Sequence, residues 1–168
     1  MLRFNFIDGD YSKLDPSEIA TSLSRLNRYG GRGAFPLSVA QHSVILSSVV
    51  PKYLRKAALI HDIPEIWTGE VPSPVKVACP CFQQIEEQAT KTLFASFGVP
   101  ITHMTDLSYF DRHICNNELA VLFPDDPDAP DWKRNSFFIP TIREVSRARA
   151  ARMWLETFTF EFRTGTIH

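Results

Sequence analysis

No stretch of the sequence approaches the roughly 18 consecutive apolar residues of a membrane-spanning helix, and neither sign of charge is in surplus. Eighteen Lys and Arg stand against 19 Asp and Glu, a net charge of −1. The first absence argues against a membrane protein. The second removes the basic field that drives sequence-independent nucleic-acid binding, so an anionic ligand must be held by a local cluster. Cysteine is scarce and odd in number, at three. Cys79 and Cys81 flank a single proline, a separation at which a mutual disulfide is strained, and this points to reduced thiols in the cytosol. Together with His103 and His113 they lack zinc-finger spacing. Residues 1–6 lack the apolar core and small-residue cleavage site of a secretion signal, and are expected to belong to the fold. The glycines at 30, 31 and 33 lack the Gly-Lys-Ser/Thr ending of a phosphate-binding P-loop. With 44% hydrophobic and 22% charged residues, the composition excludes disordered and collagen-like chains and fits one globular domain over residues 1–168.

Helical spacing dominates. Asp15-Pro16-Ser17-Glu18 supplies a cap, a first-turn proline and an acid, opening a helix expected to run to about Asn27. Ser38 caps a second helix with Val39, His42, Leu46 and Val49 on its inward stripe. Pro51 opens a third with Leu54, Ala58 and His61 on one face, and Pro64 ends it at His61-Asp62. Ser73-Pro74 repeats the cap-plus-proline start and puts Lys76 in a first turn. Phe82, Ile85, Ala89, Leu93 and Phe97 form a stripe that stops at Gly98. Asp106 is expected to cap a helix through Leu122, the prolines and acids of 124–131 to form a polar loop, and Thr141 with Glu144 to box the start of a last helix near 141–162. Leu2, Phe4 and Phe6 alternate as in a strand but are too few for a sheet. The expected fold is an all-α compact helical bundle.

Polar residues occupy inward stripes and helix ends where apolar ones belong: His42, His61, Asp62, Glu65, Asp111 and Glu118. Burying one carboxylate alone costs several kcal/mol, and three would consume much of a domain's roughly 5–15 kcal/mol stability. A bound cation resolves the conflict. Two imidazoles and two carboxylates suit Zn²⁺, Mn²⁺, Co²⁺ or Fe²⁺ and leave coordination positions for water and a substrate oxygen. Ordinary roles compete at each position: a hydrogen-bonded core histidine for His42, an ion pair with Arg112 or Arg25 for Asp111, a structural acid for Glu118.

The pattern His42, His61-Asp62, Asp111 resembles the HD-domain metal-dependent phosphohydrolases. The stretch from Ala58 to Lys76 is similar to that of bacterial HD 5′-deoxynucleotidases and of small phage HD enzymes that hydrolyse dATP. Arg28-Tyr29 followed by Ser38-Val39-Ala40-Gln41-His42-Ser43 resembles the phage branch. The likeness covers residues 14–122. It implies an HD-type bundle, metal ligation by His42, His61, Asp62 and Asp111, and Glu65 as the residue that handles the proton or orients the attacking water. Lys76 and Arg28 would contact phosphate or sugar oxygens, Tyr29 would face a deoxyribose or base, and Glu70 matches a further acid of the nucleotidase motif. The implied activity is dNTP triphosphohydrolysis favouring dATP, supported by Zn²⁺, Co²⁺ or Mn²⁺, with a further Mg²⁺ accompanying the triphosphate. The alternatives are a 5′-deoxynucleotidase acting on dNMPs and a non-catalytic, metal-stabilised binding module. Relatives that form dimers or hexamers imply a homo-oligomer, in bacterial or infected-host cytoplasm, with no membrane and no stable nucleic-acid partner. Neutral charge disfavours a nucleic-acid phosphodiesterase, and the lack of Gly-Tyr-Pro after His61-Asp62 disfavours cyclic dinucleotides.

Individual residues keep simpler readings. Glu65 could favour a helix start after Pro64, Lys76 could be a solvated surface residue, and Glu70 a turn residue after Gly69. Residues 29–33 could be an ordinary loop or an arginine-glycine RNA contact, of which one copy is weak evidence. Met153, Trp154, Phe158 and Phe160 read as core or an oligomer contact.

Overall fold

The computed structural model describes residues 3–135 and 141–163. The chain is all-α: among the described residues the extended pairing is one isolated antiparallel bridge, Asn27 to Ser38. The α-helices are α1 (Pro16–Leu23), α2 (Val39–Val49), α3 (Arg55–Ile60), α4 (Glu65–Thr68), α5 (Ser73–Ala78), α6 (Pro80–Ser96), α7 (His103–Leu122), α8 (Ala129–Arg134) and α9 (Arg147–Arg163). No described helix is long and apolar enough to cross a membrane.

Local chemistry sets several helix ends. Asp15 accepts from the Ser17 amide and Ser38 from the Gln41 amide, each satisfying a donor that the first turn leaves free. Gly98, with φ +62°, lies just past the end of α6. Tertiary bonds override local signals elsewhere. Helix α1 stops at Leu23, short of Asn27, because the Leu26 carbonyl accepts from Val39 and the Arg28 amide donates to Leu37. Helix α9 begins at Arg147 rather than near 141. Gln41 Nε2 donates to the Arg143 carbonyl at 2.8 Å, and Ser146 rather than Thr141 caps the helix through the Arg149 amide. Helix α7 starts at His103, three residues before Asp106, whose carboxylate instead accepts from Tyr53 Oη at 3.2 Å. Ser73 is the first residue of α5 rather than its cap, and Lys76 lies in the last turn. The stretch expected as a polar loop runs into α8, which begins at Ala129, and the segment after Pro51 is a 3₁₀ turn, Lys52–Leu54, before α3.

Helix α9 packs against α1, α2 and α3. The core between them holds Ile19, Leu23, Leu46, Leu59, Ile60 and Trp154, all fully buried. Trp154 also has a polar duty. Its Nε1 donates to the Leu59 carbonyl at 3.0 Å, satisfying one of the last carbonyls of α3, which otherwise would be orphaned in the core. That bond steadies the turn carrying His61 and Asp62. Phe158 is buried beside it, whereas Phe160 is 62% exposed. Gly33, at φ +100°, allows the loop after Tyr29 to meet the end of α7. A Cβ there would lie 2.8 Å from the Leu122 Cβ, and Ala34 donates to the Leu122 carbonyl.

Trp154→Phe keeps an aromatic ring but strips the donor from a buried carbonyl. It should lower unfolding free energy by about 1–3 kcal/mol through that loss alone, measured by chemical denaturation.

Candidate metal centre

Two helices and one turn bring the polar residues together. Position 42 faces inward from the first half of α2, His61 and Asp62 sit where Pro64 ends α3, and Asp111 and Glu118 are two turns apart on α7. One ligand atom each from His42, His61 and Asp111 lie within 4.8 Å of one another. Asp62 lies beside this group of three, with its Oδ2 3.7 Å from His42 Nε2 and its Oδ1 3.0 Å from His61 Nε2.

Both imidazoles are aimed from behind. His42 Nδ1 lies 2.7 Å from Glu118 Oε1 and His61 Nδ1 lies 2.9 Å from the Ala58 carbonyl. With those nitrogens donating, each Nε2 keeps its lone pair for the centre. His42 Nε2 is 3.2 Å from Asp111 Oδ1, without hydrogen-bond geometry, and both it and Asp62 Oδ2 are buried and unpartnered. An orphaned imidazole nitrogen and an orphaned carboxylate oxygen beside a His, His, Asp group fit a divalent cation of the borderline class, Zn²⁺, Mn²⁺ or Co²⁺. Burial and the Arg28 charge act to lower the His42 pKa, but Glu118 and Asp111 outweigh them and raise it to about 10. A cation would replace that proton.

Glu118 is fully buried and holds three donors. It accepts from Arg28 Nε at 2.8 Å and from Tyr29 Oη at 2.8 Å as well as from His42. Burial works to raise its pKa; the Arg28 and His42 charges overcome this and leave it lowered. Arg28 is therefore engaged behind the centre. Its Nη2 also reaches Cys115 Sγ at 3.0 Å, and its Nη1 lies 4.0 Å from Asp62 Oδ2. Tyr29 turns its hydroxyl inward and carries a left-handed backbone, φ 56°, rare for a residue with a Cβ.

Glu65 is buried, with one oxygen 3.4 Å from Lys76 Nζ and the other unpartnered. Burial, then the Asp62 charge, pushes its pKa up to about 8. Lys76 also grips Glu86 at 2.8 Å, so its ammonium is held by two carboxylates rather than lying beside free helix N–H groups. Two clefts meet here, of about 630 and 310 Å³, and Asp62, Glu65, Lys76 and Asp111 line both. The smaller is walled by Arg28, Tyr29 and Glu70, whose Oε2 is buried without a partner; the larger runs along α6 and α7 past Lys91 and Met104. Sequence reasoning missed Cys115 and Glu86. Cys115 lies one turn from Asp111 on the same face, a visible signal; Glu86 had none.

No protein-family model matches the chain. It is similar to the uncharacterized protein YfdR of Escherichia coli (strain K12), at 33% identity over 110 residues, 66% of this chain and 62% of that protein. It is also similar to the uncharacterized protein RCAP_rcc00048 of Rhodobacter capsulatus, at 28% identity over 108 residues, 58% of this chain and 55% of that protein. The chain thus spans about three fifths of the length of these curated relatives.

Glu118→Gln preserves shape but weakens the acceptor behind His42. It should lower Co²⁺ or Zn²⁺ affinity about 10–100-fold, measured by calorimetric titration. A second outcome follows from Glu65 in the metal-free protein. Its folded pKa, about 8, lies above the ordinary 4.5, so the folded state holds the proton longer and stability falls as pH rises through that window. Denaturation of Glu65→Gln across pH 4–9 should show a smaller decline over that range than the parent.

Proposed function

We propose that the protein is a metal-dependent phosphohydrolase of deoxynucleotides, acting as a dNTP triphosphohydrolase that favours dATP. The observation that carries this reading is the convergence of His42, His61 and Asp111, with the orphaned Asp62 oxygen beside them, at the meeting of two clefts. The resemblance to HD-domain phosphohydrolases supports the same reading.

His42, His61, Asp62 and Asp111 would hold the ion. When bound, a divalent cation supplies a lowered water pKa, towards ~7, and polarisation of a phosphoryl oxygen. The chain does the remainder. Glu65, with a free buried oxygen beside the centre, takes a proton from the attacking water once the charge of a bound cation has drawn off its own. Lys76 offsets charge that develops on phosphoryl oxygens, and the buried walls keep that interaction strong. Tyr29 and the unpartnered Glu70 oxygen line the smaller cleft, where a deoxyribose hydroxyl could fill the vacant acceptor. Attack of water at the α-phosphorus breaks the bond to the nucleoside oxygen, and the products are deoxynucleoside and triphosphate.

A second reading, 5′-deoxynucleotidase, is favoured by the charge on the walls. Arg28 is committed to Glu118, and Lys76 is shared by Glu65 and Glu86. Lys91 is paired with Glu87, and Arg32, bonded to the Tyr29 carbonyl, is the cation of the smaller cleft outside these acid pairs, which suits one phosphoryl group better than a polyphosphate.

The deciding experiment is chromatography of products from a dNTP and dNMP panel with Mn²⁺, Co²⁺ or Zn²⁺. Triphosphate released from dATP is the expected result. Turnover confined to monophosphates moves the protein to the second reading, and a loaded protein that turns over none of the panel overturns both. Glu65→Gln should keep metal and fold while losing about 10²–10⁴-fold in turnover.

A further inference from the structure

The junction between α5 and α6 carries a feature that the proposed chemistry does not use. Helix α5 ends at Ala78 and α6 begins at Pro80, with Cys79 between them in a non-helical conformation, φ −126° and ψ 80°. Cys79 and Cys81 are free thiols with sulfurs 3.3 Å apart; Cys81 is exposed and Cys79 half-exposed. A disulfide needs about 2.05 Å, so the sulfurs must approach by little more than an ångström. Cys79 is the residue that caps both helices, its amide donating to Lys76 and its carbonyl accepting from Phe82, so closing the bond shifts the end of α5 and the start of α6. The third thiol, on Cys115, is a contrasting case: it contacts Arg28 and Asp111 in the interior, and burial raises its pKa well above the usual range.

We propose that Cys79 and Cys81 form a reversible dithiol–disulfide modification site that resets the position of Lys76 at the edge of the cleft. Hydrogen peroxide is the oxidant class. The Cys79 thiolate attacks one peroxide oxygen, forming an S–O bond and releasing hydroxide as the O–O bond breaks. Cys81 sulfur then attacks Cys79 sulfur, the S–S bond forms, and the Cys79 hydroxyl leaves with the Cys81 proton as water. The thiol pair loses two electrons and the peroxide gains them. The hydrogen bond from Cys81 and the Phe82 backbone N–H lower the Cys79 pKa, which suits it to the first step. A disulfide closed over so few atoms is strained, and strain makes it easily reduced by a thiol. The effect reaches Lys76 directly. The Cys79 amide donates to the Lys76 carbonyl at 3.2 Å, and Lys76 on α5 grips Glu86 on α6 at 2.8 Å, so a shift of Cys79 pulls on the residue that joins the two helices.

Thiol chemistry needs no nucleotide turnover, so its test is independent of the proposed activity. The reduced protein is treated with hydrogen peroxide, its free thiols are counted, and its peptides are mapped by mass spectrometry. The thiol count should fall from three to one, with a Cys79–Cys81 link, and return to three with dithiothreitol. Cys115→Ser should still form the link, and Cys79→Ser should not. Acylation of Lys76, read from the same maps, should differ between reduced and oxidised parent but not between treated and untreated Cys79→Ser. An unchanged thiol count, links between molecules, separate over-oxidation of the two sulfurs, or Lys76 labelling that ignores the disulfide would each overturn the proposal.

Discussion

The structure depends on one buried carboxylate. Glu118 has no exposure to water and would cost several kcal/mol if left alone. Three donors from two other segments remove that cost: Arg28 and Tyr29 from the turn before α2, and His42 from α2 itself. The same bonds therefore stabilise the interior and fix the geometry of the centre. Because Glu118 accepts from His42 Nδ1, the ring presents Nε2 to Asp62 and Asp111. Because it holds Arg28 and Tyr29, the loop with its left-handed Tyr29 stays against α7, where Gly33 makes the close approach to Leu122. Removing the carboxylate would release three elements at once.

Much of the fold was legible because helix ends are local chemistry. Asp15-Pro16, Ser38 and Gly98 act within one turn of themselves, and their effect can be read from neighbours in the chain. Failures fall where a distant group captures the backbone. Nothing near Asn27 says that Val39 will bond the Leu26 carbonyl, and nothing near Thr141 says that Gln41 will take the carbonyl of Arg143. Those bonds join residues far apart in the chain, so propensity and capping motifs carry no trace of them. The hidden role of Trp154 is of the same kind: its spacing marks it as core, but its donation to Leu59 needs the assembled bundle.

The site was legible to a similar depth. Inward periodicity singled out acids and histidines that could not be buried unpaired, and the structure brings His42, His61 and Asp111 within reach of one ion. Periodicity gives the face of a helix but not distance from the centre. Asp111 and Glu118 share a face of α7, yet one approaches His42 at Nε2 and the other at Nδ1. A ligand and the group that aims a ligand cannot be separated by spacing alone. Arg28 illustrates the same limit, since its residue type suits phosphate while its nearest acceptor is Glu118.

Lys76 links the two halves of the proposed chemistry through charge. Its ammonium lies between Glu65 and Glu86, and their carboxylates raise its pKa against the opposing effect of burial. In the proposed reaction an incoming phosphoryl oxygen would compete with Glu65 for that ammonium. Once Glu65 took a proton, its attraction for Lys76 would fall, and the lysine's charge would be freed for the phosphoryl oxygens. Proton transfer and charge stabilisation would then be coupled within one ion pair. Glu86, at 2.8 Å the nearer of the two acids, would keep Lys76 at the edge of the cleft while Glu65 lets go. Neutralising Glu86 would therefore loosen the lysine without touching the proton, whereas neutralising Glu65 would remove the proton acceptor and leave the lysine held.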